Sequence, residues 1–236
     1  MPDLIIGNKN YSSWSLRPWV LMHMLGMAFD EHLYPFGEAF ASTAFLQASP
    51  TRRVPVLRID GMTVWDSLAI VETLAEREPR VWPADARARA WARSAAAEMH
   101  SGFTTLRQVC AMNCGVRIDL RDRSVALIGD LARIAEIWEE GLDRFGGPYL
   151  AGEHFTAVDA FFAPVAFRLQ TYGLSTGDRG DAYAQRLLAL PAMRSWYEQA
   201  LAEPWRDGSH EADCWASGRV TADYRAGQSA VQPGQS

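Results

Sequence analysis

The sequence predicts an α/β unit followed by an all-helical one, and three observations carry that prediction. Over the first eighty residues, short apolar runs alternate with helical patterns in the order β-α-β, loop, β-β-α. Residues 79–86, with Pro79 and Pro83, then read as a linker. Beyond the linker the strand signals stop, and apolar residues recur at helical spacing. The expected units are 1–79, a small mixed sheet with helices on both faces, and 87–210, all helical, followed by a C-terminal extension, 211–236.

Leu4-Ile5-Ile6 reads as a short buried strand. Ser15 is expected to cap a helix running to Gly26, with Pro18 in its first turn, where a missing N–H costs little. Gly26 suits the left-handed position after the last turn. A second strand spans 29–33, and 35–50 is a loop with room for one helical turn. Strands at 56–59 and 62–65 are joined by Asp60-Gly61, a tight hairpin signal. Ser67 is expected to cap the next helix, which carries Leu68, Ile70, Val71 and Leu74 and stops before Pro79.

In the second unit, 86–112 is rich in Ala, Arg, Leu and Met and is expected to form one long helix. Residues 121–145 repeat Val125, Ile128, Leu131, Ile134, Ile137, Trp138 and Leu142 until Gly146-Gly147-Pro148 breaks the pattern. Two further helices are expected at 156–172 and 184–202. Thr156 and Asp159 form a capping-box variant before Ala160-Phe161-Phe162, with Phe155 and Ala160 as the staple around it. From Gly208 the chain is polar, and the last ten residues read as a loosely held tail.

Of the 236 residues, 48% are hydrophobic and 22% charged, enough apolar mass for a sizeable core. A net charge of −5 gives no support to nucleic-acid or anionic-membrane binding. Three cysteines, Cys110, Cys114 and Cys214, argue against a disulfide framework and fit a reducing compartment. Cys110 and Cys114 stand four apart without a second pair at zinc spacing, so no metal site is expected and two small side chains on one helix suffice. No signal peptide and no apolar run of about 20 residues is present. The expected location is the cytoplasm.

Three segments carry chemistry. Tyr11-Ser12-Ser13-Trp14-Ser15-Leu16-Arg17 sets hydroxyls near a helix N-terminus, where free N–H groups and the macrodipole favour an anion; helix capping by Ser15 accounts for the same residues. Arg52-Arg53-Val54-Pro55-Val56 places a proline before a strand. If its peptide is cis, Val54 presents its main chain to a peptide ligand, and Arg53 can pair with a carboxylate or remain a solvated surface charge. Trp65-Asp66-Ser67 offers a carboxylate to an ammonium group and a hydroxyl plus N–H to a carboxylate, or else only a helix cap.

Taken in order, Ser12-Ser13-Trp14-Ser15-Leu16-Arg17, Arg53-Val54-Pro55, Asp66-Ser67-Leu68-Ala69-Ile70 and Thr156-x-x-Asp159 resemble the glutathione transferases, most closely the zeta, maleylacetoacetate isomerase-like class. The resemblance covers residues 4–78 strongly and implies a thioredoxin-like N-terminal domain. It implies glutathione as co-substrate, with no metal. Ser12, or alternatively Ser13, would hydrogen-bond the sulfur as thiolate. Val54, preceding Pro55, would pair with the cysteinyl main chain, Asp66 and Ser67 would hold the γ-glutamyl end, and Arg53 would sit near the glycyl carboxylate. It also implies a homodimer. Trp14 stands where the zeta signature has cysteine, which disfavours thiol–disulfide exchange. Trp14, His100, Phe103 and Arg107 are expected to line a second pocket for a small electrophile, with Met99 as further lining and Arg168 as a second attractor of acidic substrates. Interhelical hydrogen bonds account for His100 and Arg107 equally well. The implied activity is thiol transfer; alternatives are cis–trans isomerisation of the maleylacetoacetate type and a non-catalytic binding protein.

Overall fold

A computed structural model describes residues 1–226. The N-terminal half runs β1 (Asp3–Ile6), α1 (Ser13–Met24), β2 (Asp30–Leu33), α2 (Thr43–Ala48), β3 (Val56–Ile59), β4 (Met62–Trp65) and α3 (Ser67–Ala75). Its sheet has the order β2-β1-β3-β4, with β1 parallel to β2 and antiparallel to β3, and β3 antiparallel to β4. The period-two rule sorts the strand residues by face. Leu4, Ile6, Leu57 and Ile59 join the main core under α1 and α3, whereas Ile5 and Val56 pack with Phe45 and Ala48 of α2 on the other face. The β3–β4 turn uses Asp60 and Gly61, both at positive φ, as the Asp-Gly pair predicts.

The second half contains α4 (Ala86–Ser101), α5 (Thr104–Val109), β5 (Val116–Leu120), α6 (Val125–Phe145), α7 (Ala157–Tyr172), α8 (Asp178–Ala189), α9 (Pro191–Ala202), α10 (Gly208–Ser217) and β6 (Gly218–Asp223). Helix α7 is buried along nearly its whole length, and α1 packs on it, so one apolar core runs through both halves. Residues 79–86 are no loose linker: Val81 and Trp82 are buried in that core.

Several expected elements differ. The single helix over 86–112 is two, because Gly102 is extended and Phe103 adopts a left-handed conformation (φ 57°). A Cβ at Gly102 would lie 2.8 Å from the Glu98 carbonyl, so only glycine fits this break. The helix over 184–202 is also two, α8 and α9, with Pro191 at the first position of the second. Helix α1 starts two residues before Ser15, which is buried inside it rather than capping it. Asp66, not Ser67, caps α3, its Oδ1 accepting from the Leu68 N–H at 2.8 Å. Val125 and Ile128 are exposed. Cys110 and Cys114 do not share a helix; both are free and buried, as is Cys214.

The second half is also not purely helical. Strands β5 and β6 pair antiparallel, with an irregular register at Arg117/Ile118, so the polar C-terminal extension folds back as ordered structure. The predicted tail, 227–236, lies outside the described residues.

The loop between β1 and α1 is buried and polar: Asn8, Lys9, Asn10 and Ser12 are all at most 5% exposed. Its polar groups are satisfied from the second half. Glu203 accepts from the Lys9 N–H at 2.5 Å and the Asn10 N–H at 3.3 Å. Trp196 donates to the Lys9 carbonyl at 2.8 Å, and the Asn10 amide donates to Asn113 at 2.8 Å. The Lys9 ammonium pairs with Glu31 and donates to Gln199. Tyr11 donates to Glu211 at 2.5 Å and accepts from the buried Arg225 at 3.1 Å.

Asp159 is the second buried polar hub. It accepts from the Leu150 N–H at 3.0 Å, the Thr156 N–H at 2.9 Å and the Tyr183 hydroxyl at 2.8 Å. Asp159→Ala leaves these donors unpaired and is expected to lower stability by about 3–5 kcal/mol in urea denaturation, with Asp159→Asn losing less. Glu203→Ala is expected to cost about 2–4 kcal/mol by the same measurement. A loss under about 0.5 kcal/mol in either alanine variant would show that its donors find other partners.

Candidate functional site

A cavity of about 910 Å³ opens where the loop before α1, the segment before β3, the start of α3, α5, α7 and α10 meet. It brings together Ser12, Ser13, Trp14, Arg53, Val54, Pro55, Asp66, Ser67 and Arg107 of the predicted residues. Arg168 also lines it. His100 and Phe103 are not on its wall. Phe103 is buried in the core at the α4–α5 break, and Met99 is a core residue too. His100 lies behind Trp14, ring edge to face at 5.0 Å, with Nε2 3.4 Å from Asp66. The expected His100–Phe103–Arg107 face does not form, because it required one continuous helix.

Each wall has a local cause. The Val54–Pro55 peptide is cis, and Val54 makes no main-chain hydrogen bond among the described residues. Arg53 is exposed, and its N–H is fixed by Ser49 Oγ at 3.0 Å. Ser67 is fully buried and accepts from Arg17 Nη1 at 3.3 Å. Asp66 divides its carboxylate between the helix cap and the His100 side.

The serines differ in their partners. Ser12 Oγ and Ser15 Oγ share a 2.7 Å hydrogen bond, and Ser15 Oγ also accepts from the Gly7 N–H at 3.2 Å. Ser13 is half-buried and accepts from Arg168 Nη2 at 3.4 Å.

Beneath the serines lie three arginines, Arg17, Arg107 and Arg168. Their hydrogen bonds go to hydroxyls and carbonyls: Arg17 to Ser67 and the Met99 carbonyl, Arg107 to the Met99 and His100 carbonyls, Arg168 to the Cys110 and Pro164 carbonyls. None of the three is in an ion pair among the described residues. Burial, reinforced by the charges of Arg107 and Arg168, holds Arg17 well below the usual guanidinium range. Burial, and then Arg107, brings Arg168 down to about 10. The Arg17 and Arg107 guanidinium groups both lie over the Trp14 ring, at 4.4 and 5.0 Å from its centroid, a cation–π contact for each. Burial, with Arg17 and Arg107, also lowers the His100 pKa against the pull of Asp66, so this imidazole is neutral at pH 7.

Such a floor attracts anions. Unpaired buried cations regain favourable Coulomb energy when a negative group enters, and the N-terminus of α1 adds its own positive end. The sequence signal for Arg17 is that it is the one charge within the apolar run Leu16–Leu21. Tyr11, from the singled-out segment before α1, lines the cavity too, as do Phe36 and Phe40 after β2, Met112 after α5, and His210 and Asp213 of α10. Nothing in the local sequence marks the last five.

Among the described residues no group of His, Cys, Asp and Glu is placed to hold a metal ion, and no helix is long and apolar enough to cross a membrane.

The family model of the glutathione S-transferase N-terminal domain matches residues 11–77, and that of the C-terminal domain matches residues 84–199. Rat (Rattus norvegicus) maleylacetoacetate isomerase is 30% identical over 197 residues, which cover 79% of this chain and 87% of the relative. The Arabidopsis thaliana glutathione S-transferase DHAR2 is 33% identical over 126 residues, 53% of each chain, so this chain spans about half of that relative's length. Among solved structures, a Burkholderia glutathione transferase homologue with bound glutathione superposes with a TM-score of 0.65 at 24% identity, covering 86% of this chain and 99% of that one. A diazinon-metabolizing glutathione S-transferase of the silkworm Bombyx mori gives 0.67 at 17% identity, over 85% and 97%. The two domain matches and the length shared with the rat relative place the chain in the glutathione S-transferase family.

Proposed function

We propose that the chain binds glutathione in this cavity, ionises its thiol, and delivers the thiolate to a small acidic electrophile. The observation that carries this reading is the convergence of Ser12, Ser13, the α1 N-terminus, Arg107 and Arg168 on one cavity, with the buried Arg17 donating to Ser67 of its wall. In this reading Asp66 and Ser67 receive the γ-glutamyl end, the unpaired Val54 main chain pairs with the cysteinyl residue as an added strand would, and Arg53 faces the glycyl carboxylate.

Ser12 is assigned to the sulfur. In the structure the Ser12 hydroxyl donates to Ser15 Oγ at 2.7 Å, and Ser15 is wholly buried. Turning the Ser15 proton back onto Ser12 Oγ keeps that hydrogen bond and frees the Ser12 proton to turn toward a sulfur in the cavity. Ser13, its oxygen held by Arg168, is the second donor. A hydrogen bond to a charged acceptor contributes about 1.5–3 kcal/mol, which lowers the thiol pKa by about 1–2 units.

The thiolate then attacks an electrophilic carbon. When a group leaves or the adduct persists, the result is conjugation. When the thiolate departs after rotation about the former double bond, the result is cis–trans isomerisation, the reaction named for the rat relative. Arg107 and Arg168 favour an electrophile that carries a carboxylate. Free, buried cysteines fit a cytoplasmic protein. Edge strand β4, with Met62 and Trp65 exposed, fits a homodimer.

Ser12→Ala is expected to raise the thiol pKa of bound glutathione by about 1–2 units with little loss of affinity, read by ultraviolet thiolate titration and calorimetry. An unchanged pKa would move the role to Ser13. Arg168→Met is expected to raise KM for maleylacetone about tenfold while changing KM for the neutral 1-chloro-2,4-dinitrobenzene little. Equal changes for both would remove the acidic-substrate assignment. Absence of binding heat with glutathione at neutral pH would defeat the reading as a whole.

A further inference from the structure

The cavity has a wall that neither family-matched segment supplies. Helix α10 begins at Gly208, beyond the matched residues 84–199, and sets His210 and Asp213 on the cavity surface together with Ser12 and Ser13. Building on the glutathione reading, we propose that His210, backed by Asp207, is the base that takes the glutathione thiol proton.

The His210 ring is fixed from three sides. It stacks on Tyr11 at 5.1 Å with 26° between the planes, and on Phe36 at 4.7 Å with 20°. Its Nδ1 is 2.8 Å from Asp207 Oδ1, which also accepts from the His210 N–H at 3.1 Å. Asp207 in turn accepts from Ser209 at 2.6 Å. A carboxylate only accepts, so Nδ1 is the protonated nitrogen. In the neutral ring Nε2 therefore carries the lone pair, and it has no partner among the described residues. This is the arrangement in which a carboxylate selects the tautomer of an imidazole and stabilises the imidazolium formed later.

The helix that presents His210 is itself anchored at the site. Glu211, on the next position, accepts from the Tyr11 hydroxyl, one residue before Ser12. Arg225, after β6, donates to the same hydroxyl at 3.1 Å and to the Glu203 and Trp205 carbonyls at 2.8 and 2.6 Å. Arg206 bridges Asp223 at 2.8 Å and Glu211 at 3.4 Å. The charged and titratable groups around the ring are thus Asp207, Glu211 and Asp213 of its own segment, Tyr11, Arg206, Arg225 and Asp223 behind it, and Arg52 and Arg53 across the cavity. Burial, then Glu211, pushes Tyr11 far up, so its hydroxyl stays protonated and does not compete as base.

The step balances simply. The S–H bond of glutathione breaks, its electron pair stays on sulfur, and the proton passes to Nε2 directly or through one water. The sulfur is held by Ser12, and the imidazolium by Asp207. If the thiolate adds to an unsaturated carbon, the resulting carbanion takes the proton back. If a halide leaves, the proton goes to solvent.

The test uses the full chain mixed with glutathione in a stopped-flow instrument, following thiolate absorbance. In His210→Gln the rate of thiolate appearance at neutral pH is expected to fall about a hundredfold, as for loss of a general base. Calorimetric affinity for glutathione should hold within about threefold, less than 1 kcal/mol. Asp207→Asn, which keeps an acceptor for the helix cap, should slow the step in the same direction. Added free imidazole should restore part of the rate in His210→Ala, an outcome that a misfolded variant does not give. An unchanged rate in His210→Gln, or no rescue by imidazole in a variant that still binds glutathione, would overturn the proposal and leave His210 as wall. A wild-type protein that takes up no glutathione would instead defeat the preceding reading, which separates the two failures.

Discussion

The site depends on one constraint: the turn from β1 into α1 is both polar and buried. Residues Asn8–Ser12 cannot turn to water, so their N–H, carbonyl and amide groups must be met by protein. The groups that meet them come from far along the chain, at Asn113, Trp196, Gln199, Glu203, Glu211 and Arg225. The N-terminal half thus supplies the serines, and the C-terminal half decides where they stand. The same bonds pull the C-terminal extension over the cavity, because Tyr11, at the end of the loop, is held by Glu211 and Arg225 of the extension itself.

The arginines below the loop run against ordinary stability. Three guanidinium groups in one region, those of Arg17 and Arg168 buried and that of Arg107 half-buried, with no ion pair among the described residues, repel one another and lose hydration. The fold offsets this with carbonyls exposed by the α4–α5 break, since Met99 and His100 present free carbonyl oxygens to Arg17 and Arg107. It also gives two of the guanidinium groups a cation–π contact with the Trp14 ring. The left-handed Phe103 that ends the expected long helix therefore has an electrostatic role: an unbroken helix would have used those carbonyls internally. In the family reading this cost sustains a positive floor under an anionic sulfur, and burial makes each charge act more strongly there than it would in water.

The N-terminal half was largely legible in the sequence because its signals are local. The short apolar runs at Leu4–Ile6 and Val56–Ile59, the Asp60-Gly61 turn and the proline before β3 each depend on neighbours within a few residues. The Thr156/Asp159 box at the start of α7 was readable for the same reason. Errors clustered where a contact between distant residues outweighed local preference. Ser15 looks like a cap but is buried against Gly7 and Ser12. Ser67 looks like a cap beside the residue that caps. Residues 116–120 carry modest strand character, and they become a strand because 218–223 return to pair with them.

The sequence alone determined the order of elements in the N-terminal half and the family to which its motifs belong, because both are written in residues adjacent along the chain. Tertiary structure alone decided that Arg107 and Arg168 line one cavity with the buried Arg17 close by, that His100 and Phe103 are not on its wall, and that His210 is. The physical reason is that a helix fixes its own periodicity but not its neighbours. Which side chains converge is set by the long-range packing of α1 on α7 and by the buried hydrogen bonds between residues about two hundred positions apart.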